Sequence, residues 1–561
     1  MSVNNILKTI LSWKILLPLI LLLSLQSASA GDFEEGAKAA SHNDFITAFK
    51  LWQPLAENGE TKAQYNLGVM YHNGLGIALD YKEAMKWYRL AAEQGSMESQ
   101  NNIAVLYEKG LGVATNLIEA AKWYRLAADQ GYADAQYNLG SMYSEGRGVM
   151  RDYVDAKRWY TAAADQGHIV ALNNLAFMYH LGLGVKKDYQ EAVRLYVLAA
   201  NRGNKEAQYN IGIIYRDVRK FGDALKWLRL AANRGLMKAQ TDLGTMYFQG
   251  LGIKQNYAEA AKYFSLAADQ GDAEAQYNLG VMNNEGKGFE KNYAEALKWF
   301  IKAAEQGQKD AQAALGYIYE KGQGTTSNYQ QALKWNLLAA KQGSAKAQNN
   351  LGVMYSEGEG VKQDLKETAK WYKAAADQNH VLAQVNLGLL YVKGKGVPRS
   401  NKEAAKWFRL AANQGNDEAQ YQLGILLHEG SGIKRDYQEA IKWFKKAADQ
   451  GNANAQYNLG VIYSGGLGVT KNQTEADRWF HLAEKQGVKT PMPPNAKGLS
   501  AFPPDSFGLA ARKGGKGVLV KQGNALIPLD NNIFKIIKIY KNNLVQSDRE
   551  TVIANEAKPI K

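Results

Sequence analysis

The residues best equipped for acid–base or metal chemistry are seven histidines: His42, His72, His168, His180, His380, His428 and His481. No two stand at ligand spacing, and no H-E-x-x-H occurs. Cysteine is absent, which removes disulfides and any thiolate-held zinc or iron–sulfur centre. The serines lack the G-x-S-x-G context that exposes a nucleophile. Recurring Gly-x-Gly triplets such as Gly74-Leu75-Gly76 have no preceding strand and no Gly-Lys-Ser/Thr ending, so they read as helix-joining turns rather than phosphate loops. Recurring acids such as Glu83 and Glu119 fall where helix starts need them. These residues predict no catalytic, cofactor or metal site, and hence no enzyme.

Recognition chemistry is what remains. One column of a repeating pattern reads Tyr65, Asn101, Tyr137, Asn173, Tyr209, Thr241, Tyr277, Ala313, Asn349, Val385, Tyr421 and Tyr457. Alternating Tyr and Asn is poor core material but good interface material, because tyrosine offers rigid area with a hydrogen-bonding tip. The next column holds Asn66, Asn102, Asn138, Asn174, Asn210, Asn278, Asn350, Asn386 and Asn458. Its asparagines suit bonding to backbone groups of the adjacent repeat, which would fix its twist.

The elements that position these columns repeat every 36 residues. The string Ala63-Gln64-Tyr65-Asn66-Leu67-Gly68 has counterparts beginning at Ser99, Ala135, Ala171, Ala207, Ala239, Ala275, Ala311, Ala347, Ala383, Ala419 and Ala455. Only the step from Ala207 to Ala239 is shorter, at 32. Each unit predicts two helices. The first carries Leu67, Met70 and Tyr71 at helical spacing and stops at Gly74. The second starts at an N-cap, Asp80, with Glu83 completing a capping box, and stops at Gly95. Asn379 replaces that last glycine once, and asparagine is the other residue that tolerates a left-handed cap. Ten of the twelve tryptophans share one column, from Trp87 to Trp479, and are predicted to fill the core.

A single hairpin cannot bury its apolar face, so the hairpins must stack. The prediction is an all-α, right-handed α/α superhelical solenoid over 63–487, preceded by a capping helical pair over 31–62. The short unit, with Tyr215 to Phe221 between its helices, is predicted to alter curvature locally.

The two ends differ from this body. Residues 1–30 combine Lys8 and Lys14, the apolar run Ile15 to Leu23 and the ending Ala28-Ser29-Ala30, which predicts a secretory signal peptide and an exported, periplasmic or secreted protein. No other stretch is apolar enough to span a membrane. Residues 488–561 hold Pro491, Pro493, Pro494, Pro503 and Pro504, then the basic amphipathic stretch Ile533 to Lys541. Twelve Lys/Arg against five Asp/Glu give this tail a surplus of seven in a chain of net charge +14. The repeat body is nearly balanced, which argues against nucleic acid as partner. The tail is the segment suited to docking on the last repeat, to an anionic envelope surface, or to ordering only on binding.

The string A-Q-x-x-L-G-x-x-Y, G-x-G, then D/N-Y-x-x-A-x-x-W-Y/F-x-x-A-A-x-Q-G resembles the Sel-one-like repeat family, relatives of tetratricopeptide repeats, over about 63–487. The resemblance implies an α/α superhelix acting as a protein- or peptide-binding adaptor, with bacterial members exported to roles in host contact or envelope assembly. By analogy with tetratricopeptide domains, the first helix of each pair lines a concave groove, and an asparagine in the Asn66 column would grip a ligand backbone there, the alternative to bonding the adjacent repeat. That places Tyr65, Asn66, Asn101, Asn102, Tyr137, Asn138, Asn173, Tyr209, Tyr277, Asn349, Tyr421 and Tyr457 in the groove. A cysteine-rich branch is linked to β-lactam hydrolysis. The envelope-hydrolase alternative is disfavoured here by the missing cysteines.

Overall fold

The computed structural model describes residues 31–488, which are helical apart from tight turns. The segment read as a signal peptide and the tail beyond Val488 lie outside the described residues. Two compact units divide the chain, one running through Leu236 and the other starting at Met237. In the first, a helix over 31–41 and the helix Phe45–Glu57 precede five helical hairpins; the second holds seven. Each hairpin pairs a helix A with a helix B, from Thr61–Asn73 with Tyr81–Glu93 to Ala453–Gly465 with Gln473–Glu484. The first helix A thus begins at Thr61, two residues inside the stretch assigned to the cap. The outcome is an all-α solenoid of paired helices.

Local chemistry sets the boundaries of each hairpin. Gly74 ends helix A at φ 67°, and its N–H donates to Met70 O. The side chain of Asp80 accepts from Lys82 N and Glu83 N, which opens helix B. The capping box is only half made. Asp80 N donates instead to Tyr71 O at 2.9 Å, and Glu83 turns outward to pair with Lys86 at 3.2 Å. The backbone of the preceding helix satisfies the donor that Glu83 was expected to meet, and this bond ties helix A to helix B. Asn379 adopts φ 63°, as its substitution for glycine predicted. In the short hairpin Arg219 takes φ 60° and Lys220 starts helix B with no side-chain cap bond.

The second glycine of each Gly-x-Gly has a role that the turn reading missed. A Cβ on Gly396 would collide with the carbonyl oxygen of Leu365, the first residue of the preceding hairpin's helix B. At Gly324 the obstacle is the backbone of Tyr293, 2.6 Å away. These loops therefore lie directly on the preceding hairpin, and the missing side chain sets their approach.

Hairpins join through apolar layers. Tyr88, Ala84 and Ala91 pack with Ile103 and Leu106 of the next helix A, with Trp123 beside them. The tryptophan column is buried at Trp87, Trp159, Trp335, Trp407, Trp443 and Trp479. The preceding cation lies over the ring in several hairpins, as Lys406 does 5.2 Å from Trp407.

Candidate protein-binding face

The Tyr and Asn columns ride on helix A, one turn from its N-terminus, and the structure separates them into two kinds of position. At five of the six tyrosines of the first column the ring leans on the aromatic residue of its own helix B; Tyr209 is the exception, because its helix B carries Leu228 there. Tyr65 meets Tyr88 at 6.1 Å between centroids, Tyr137 meets Tyr160 at 6.0 Å, and Tyr421 meets Phe444 at 6.1 Å. These three tyrosines are buried. Tyr277 against Phe300 and Tyr457 against Phe480 use the same contact but stay half-buried, as does Tyr209. Burial raises the Tyr65 hydroxyl to about 12, helped by Glu98 of the next hairpin. Burial likewise raises Tyr277 and Tyr421, with Asp310 and Glu418 respectively adding to it. All three stay protonated at neutral pH and can donate.

At two of the three asparagines of the first column, Asn101 and Asn173, the second column of the next hairpin reaches back. Asn138 Nδ2 donates to Asn101 Oδ1 at 3.2 Å, and Asn210 Nδ2 donates to Asn173 Oδ1 at 3.2 Å. Asn101 and Asn173 in turn donate toward their neighbours Asn102 and Asn174, at 3.5 and 3.3 Å. From Tyr65 to Asn173 the alternation of Tyr and Asn is thus an alternation of two joints, a ring contact within a hairpin and an amide bond between hairpins. The inter-repeat reading of the asparagines holds for these pairs. Asn349 stands in the same column, but its buried Oδ1 has no protein partner. Asn66 is fully buried and neither of its amide atoms is bonded.

Charged groups crowd the start of helix A beside these columns. Thr241 Oγ1 donates to Asp272 at 3.1 Å, and Gln308 Nε2 donates to Glu274 at 3.0 Å. Burial raises both carboxyls. His168 stacks on Tyr137 with centroids 4.7 Å apart and lies 3.4 Å from Asp134. Among the described residues no three His, Asp or Glu side chains converge to hold a metal ion. No described helix is long and apolar enough to cross a membrane.

The residues that sequence reasoning missed are the glutamines at either end of the motif. Gln64 Nε2 donates to Ala56 O of the preceding helix, while its Oε1 accepts from Gln94 Nε2 at 2.8 Å. The same glutamine pair, thirty residues apart, recurs in ten hairpins at 2.7–2.9 Å. A signal was present. In the hairpin that begins at Ile169 both glutamines are lost together, to Leu172 and Arg202. Arg202 then bonds Gly167 O instead, at 3.1 Å.

In sequence, the Sel1 repeat pattern matches twelve consecutive segments, from 61–96 to 453–488. The chain is 34% identical to a protective antigen present in uropathogenic Escherichia coli strains, a protein with an SLR fold. The match covers 80% of this chain and 99% of that one, with a TM-score of 0.66. A Sel1 repeat protein from Oxalobacter formigenes is also 34% identical, over 44% of this chain and 99% of its own, with a TM-score of 0.40. No curated protein matches in sequence. Twelve matched segments, the paired-helix solenoid and a 34% identical relative covered almost end to end place this chain in the Sel1 repeat family.

Proposed function

We propose that this chain is an exported scaffold that binds a protein or peptide partner along the helix A faces of its solenoid. One observation carries the reading: the repeated helix A face keeps Tyr277 and Tyr457 half-buried, each ring against the aromatic residue of its own helix B, with Tyr209 half-buried in the same column. Such tyrosines supply area and a hydrogen bond at low entropic cost. Asn138 and Asn173, also half-buried, supply adjacent amides. Tyr65, Tyr137 and Tyr421 stay in the proposed face as its floor, shaping it from below rather than meeting the partner with a whole ring. Export rests on the basic, apolar and A-x-A order of residues 1–30. A role in contact with a host or in the envelope is supported by the relative, a protective antigen of a pathogen.

The test is capture of partners from envelope and host extracts by the mature chain, with affinity measured for wild type, Tyr277→Ala and Tyr457→Ala. Loss of at least tenfold in affinity on either change, with melting little altered, supports the face. Unchanged affinity in both removes it.

A further inference from the structure

Positive charge is unevenly placed along the array. The hairpin over 381–416 carries six Lys/Arg against one acid, Glu403, whereas the hairpins on either side of it are each balanced to within one charge. Its helix B, Asn401–Asn413, and the turn of the next hairpin form a cleft of about 440 Å³, lined by Lys402, Lys406, Arg409, Lys434 and Arg435. The glycine turn builds this cleft. A Cβ on Gly432 would stand 2.8 Å from the backbone nitrogen of Lys402, so the turn lies against the start of that helix and carries Lys434 and Arg435 to it.

Two acids also line the cleft, Asp436 and Glu439, and both are engaged. Asp436 accepts from Glu439 N at 2.8 Å as the N-cap of the next helix B. Glu439 pairs with Arg409 through both carboxylate oxygens and accepts from Trp443 Nε1 at 3.2 Å. Arg435 donates to Glu429 O at 3.0 Å and lies over the Tyr437 ring. Three ammonium groups are left. Lys402 and Lys434 make no ion pair among the described residues, and Lys406 stays 3.8 Å from Glu403, beyond a hydrogen bond. The fold does not ask for these cations. The turn positions of Lys434 and Arg435 hold Ala78 and Leu79, Ala114 and Thr115, or Thr326 and Ser327 in other hairpins. Only one other Gly-x-Gly turn has two cations in succession, Lys186-Lys187, and it lines the corresponding cleft of the first unit together with Lys157. Like charges gathered without partners raise the energy of the folded state, and an anion seated among them relieves it.

We propose that the cleft at Lys402, Lys406 and Lys434 binds the phosphoryl group of a phosphate ester. A phosphate monoester carries about −1.5 to −2 charges near neutral pH and three acceptor oxygens, which matches three ammonium donors better than a lone carboxylate does. The cleft has the size of a small-molecule site, and the buried Ala405 and Leu427 give it an apolar wall. Lys402 and Lys406 stand on helix B and Lys434 in the turn, so these cations lie outside the helix A face.

The test is a titration of the full mature chain, methyl-labelled at isoleucine, with inorganic phosphate at constant ionic strength, following the methyl signal of Ile433 in the cleft. The expected result is a shift that saturates by about 10 mM phosphate. Affinity should fall at least tenfold in Lys402→Gln/Lys434→Gln and stay unchanged in Lys334→Gln/Lys370→Gln, which removes two cations elsewhere in the same unit. All four lysines are exposed, so both variants should melt as wild type does. A shift that grows without saturating, or equal affinity in the cleft variant, overturns the proposal. Two further arms name the source of the phosphoryl group, and either result supports the site. Competition by glucose 6-phosphate, with no sedimentation on phosphatidylglycerol vesicles, assigns a soluble ester. Sedimentation on those vesicles that Lys402→Gln/Lys434→Gln abolishes assigns a lipid headgroup.

Discussion

Replacing Arg234 by glutamine should stabilise the hairpin over 205–236. Gln208 is 3% exposed, and its Nε2 donates to Ala200 O at 3.0 Å, but its Oε1 has no protein partner. In the first hairpin Gln94 reaches two acceptors at once, Gln64 Oε1 at 2.8 Å and Gly59 O at 3.1 Å. Arg234 occupies the place of Gln94 and donates to Gly203 O at 2.9 Å. A glutamine there keeps that bond and supplies the missing one. An orphaned buried acceptor costs about 1–3 kcal/mol, and the bond that satisfies it returns about 0.5–1.5 kcal/mol net. Arg234 is exposed, so removing its charge costs little. The net gain is about 1 kcal/mol, or roughly fivefold slower opening of the hairpin. Native-state amide exchange of peptides from 205–236 reads this directly, and it suits a solenoid whose hairpins open locally. Arg234→Ala is the control and should not slow exchange. If Arg234→Gln exchanges at the wild-type rate or faster, the glutamine pair is not a stabilising element and the reasoning fails.

Three further outcomes rest on the same geometry. Gln276→Leu removes the bonds to Ala268 O and Gln306, both made by its amide, and should lower stability by about 1–2 kcal/mol in urea titration. Gly396→Ala should cost more than about 2 kcal/mol, because φ 72° and the Leu365 carbonyl both oppose a Cβ. Gly415→Asn, at φ 91° with open space around it, should cost well under that, and thermal melting separates the two. Burial holds His72 and His180 at about 4, well below the free imidazole value of 6.5. The unfolded chain therefore binds more protons between pH 6.5 and 4, and stability present above pH 6.5 should fall across that window. A flat urea midpoint from pH 7 to 4.5, or an unchanged slope in His72→Gln/His180→Gln, contradicts the burial.

Much of the fold was legible because it rests on local chemistry repeated many times. Asp80, Gly74 and Gly95 mark helix ends through their own side chains or lack of one, and twelve registers reinforce each other. The failures are at contacts between hairpins. Glu83 satisfies the capping-box pattern, yet the carbonyl of Tyr71 meets the donor first, and only the folded pair reveals that competition. The second glycine of Gly-x-Gly looks like part of a turn until the Leu365 backbone is seen beside Gly396. The candidate face was located as a column, but its depth was not legible. Whether a tyrosine is buried, like Tyr137, or half-buried, like Tyr457, depends on what the neighbouring hairpins cover. Asn101 could not be assigned to a ligand or to Asn138 until their amides were placed 3.2 Å apart.

In the proposed complex the partner lies along the helix A faces. Photo-crosslinking from single benzoylphenylalanine substitutions tests it most directly, at Tyr277 and Tyr457 on helix A, and at Leu266 and Leu410, exposed on helix B. A partner on the helix A faces gives adducts from positions 277 and 457 and none from 266 and 410. Adducts only from the helix B positions would contradict it.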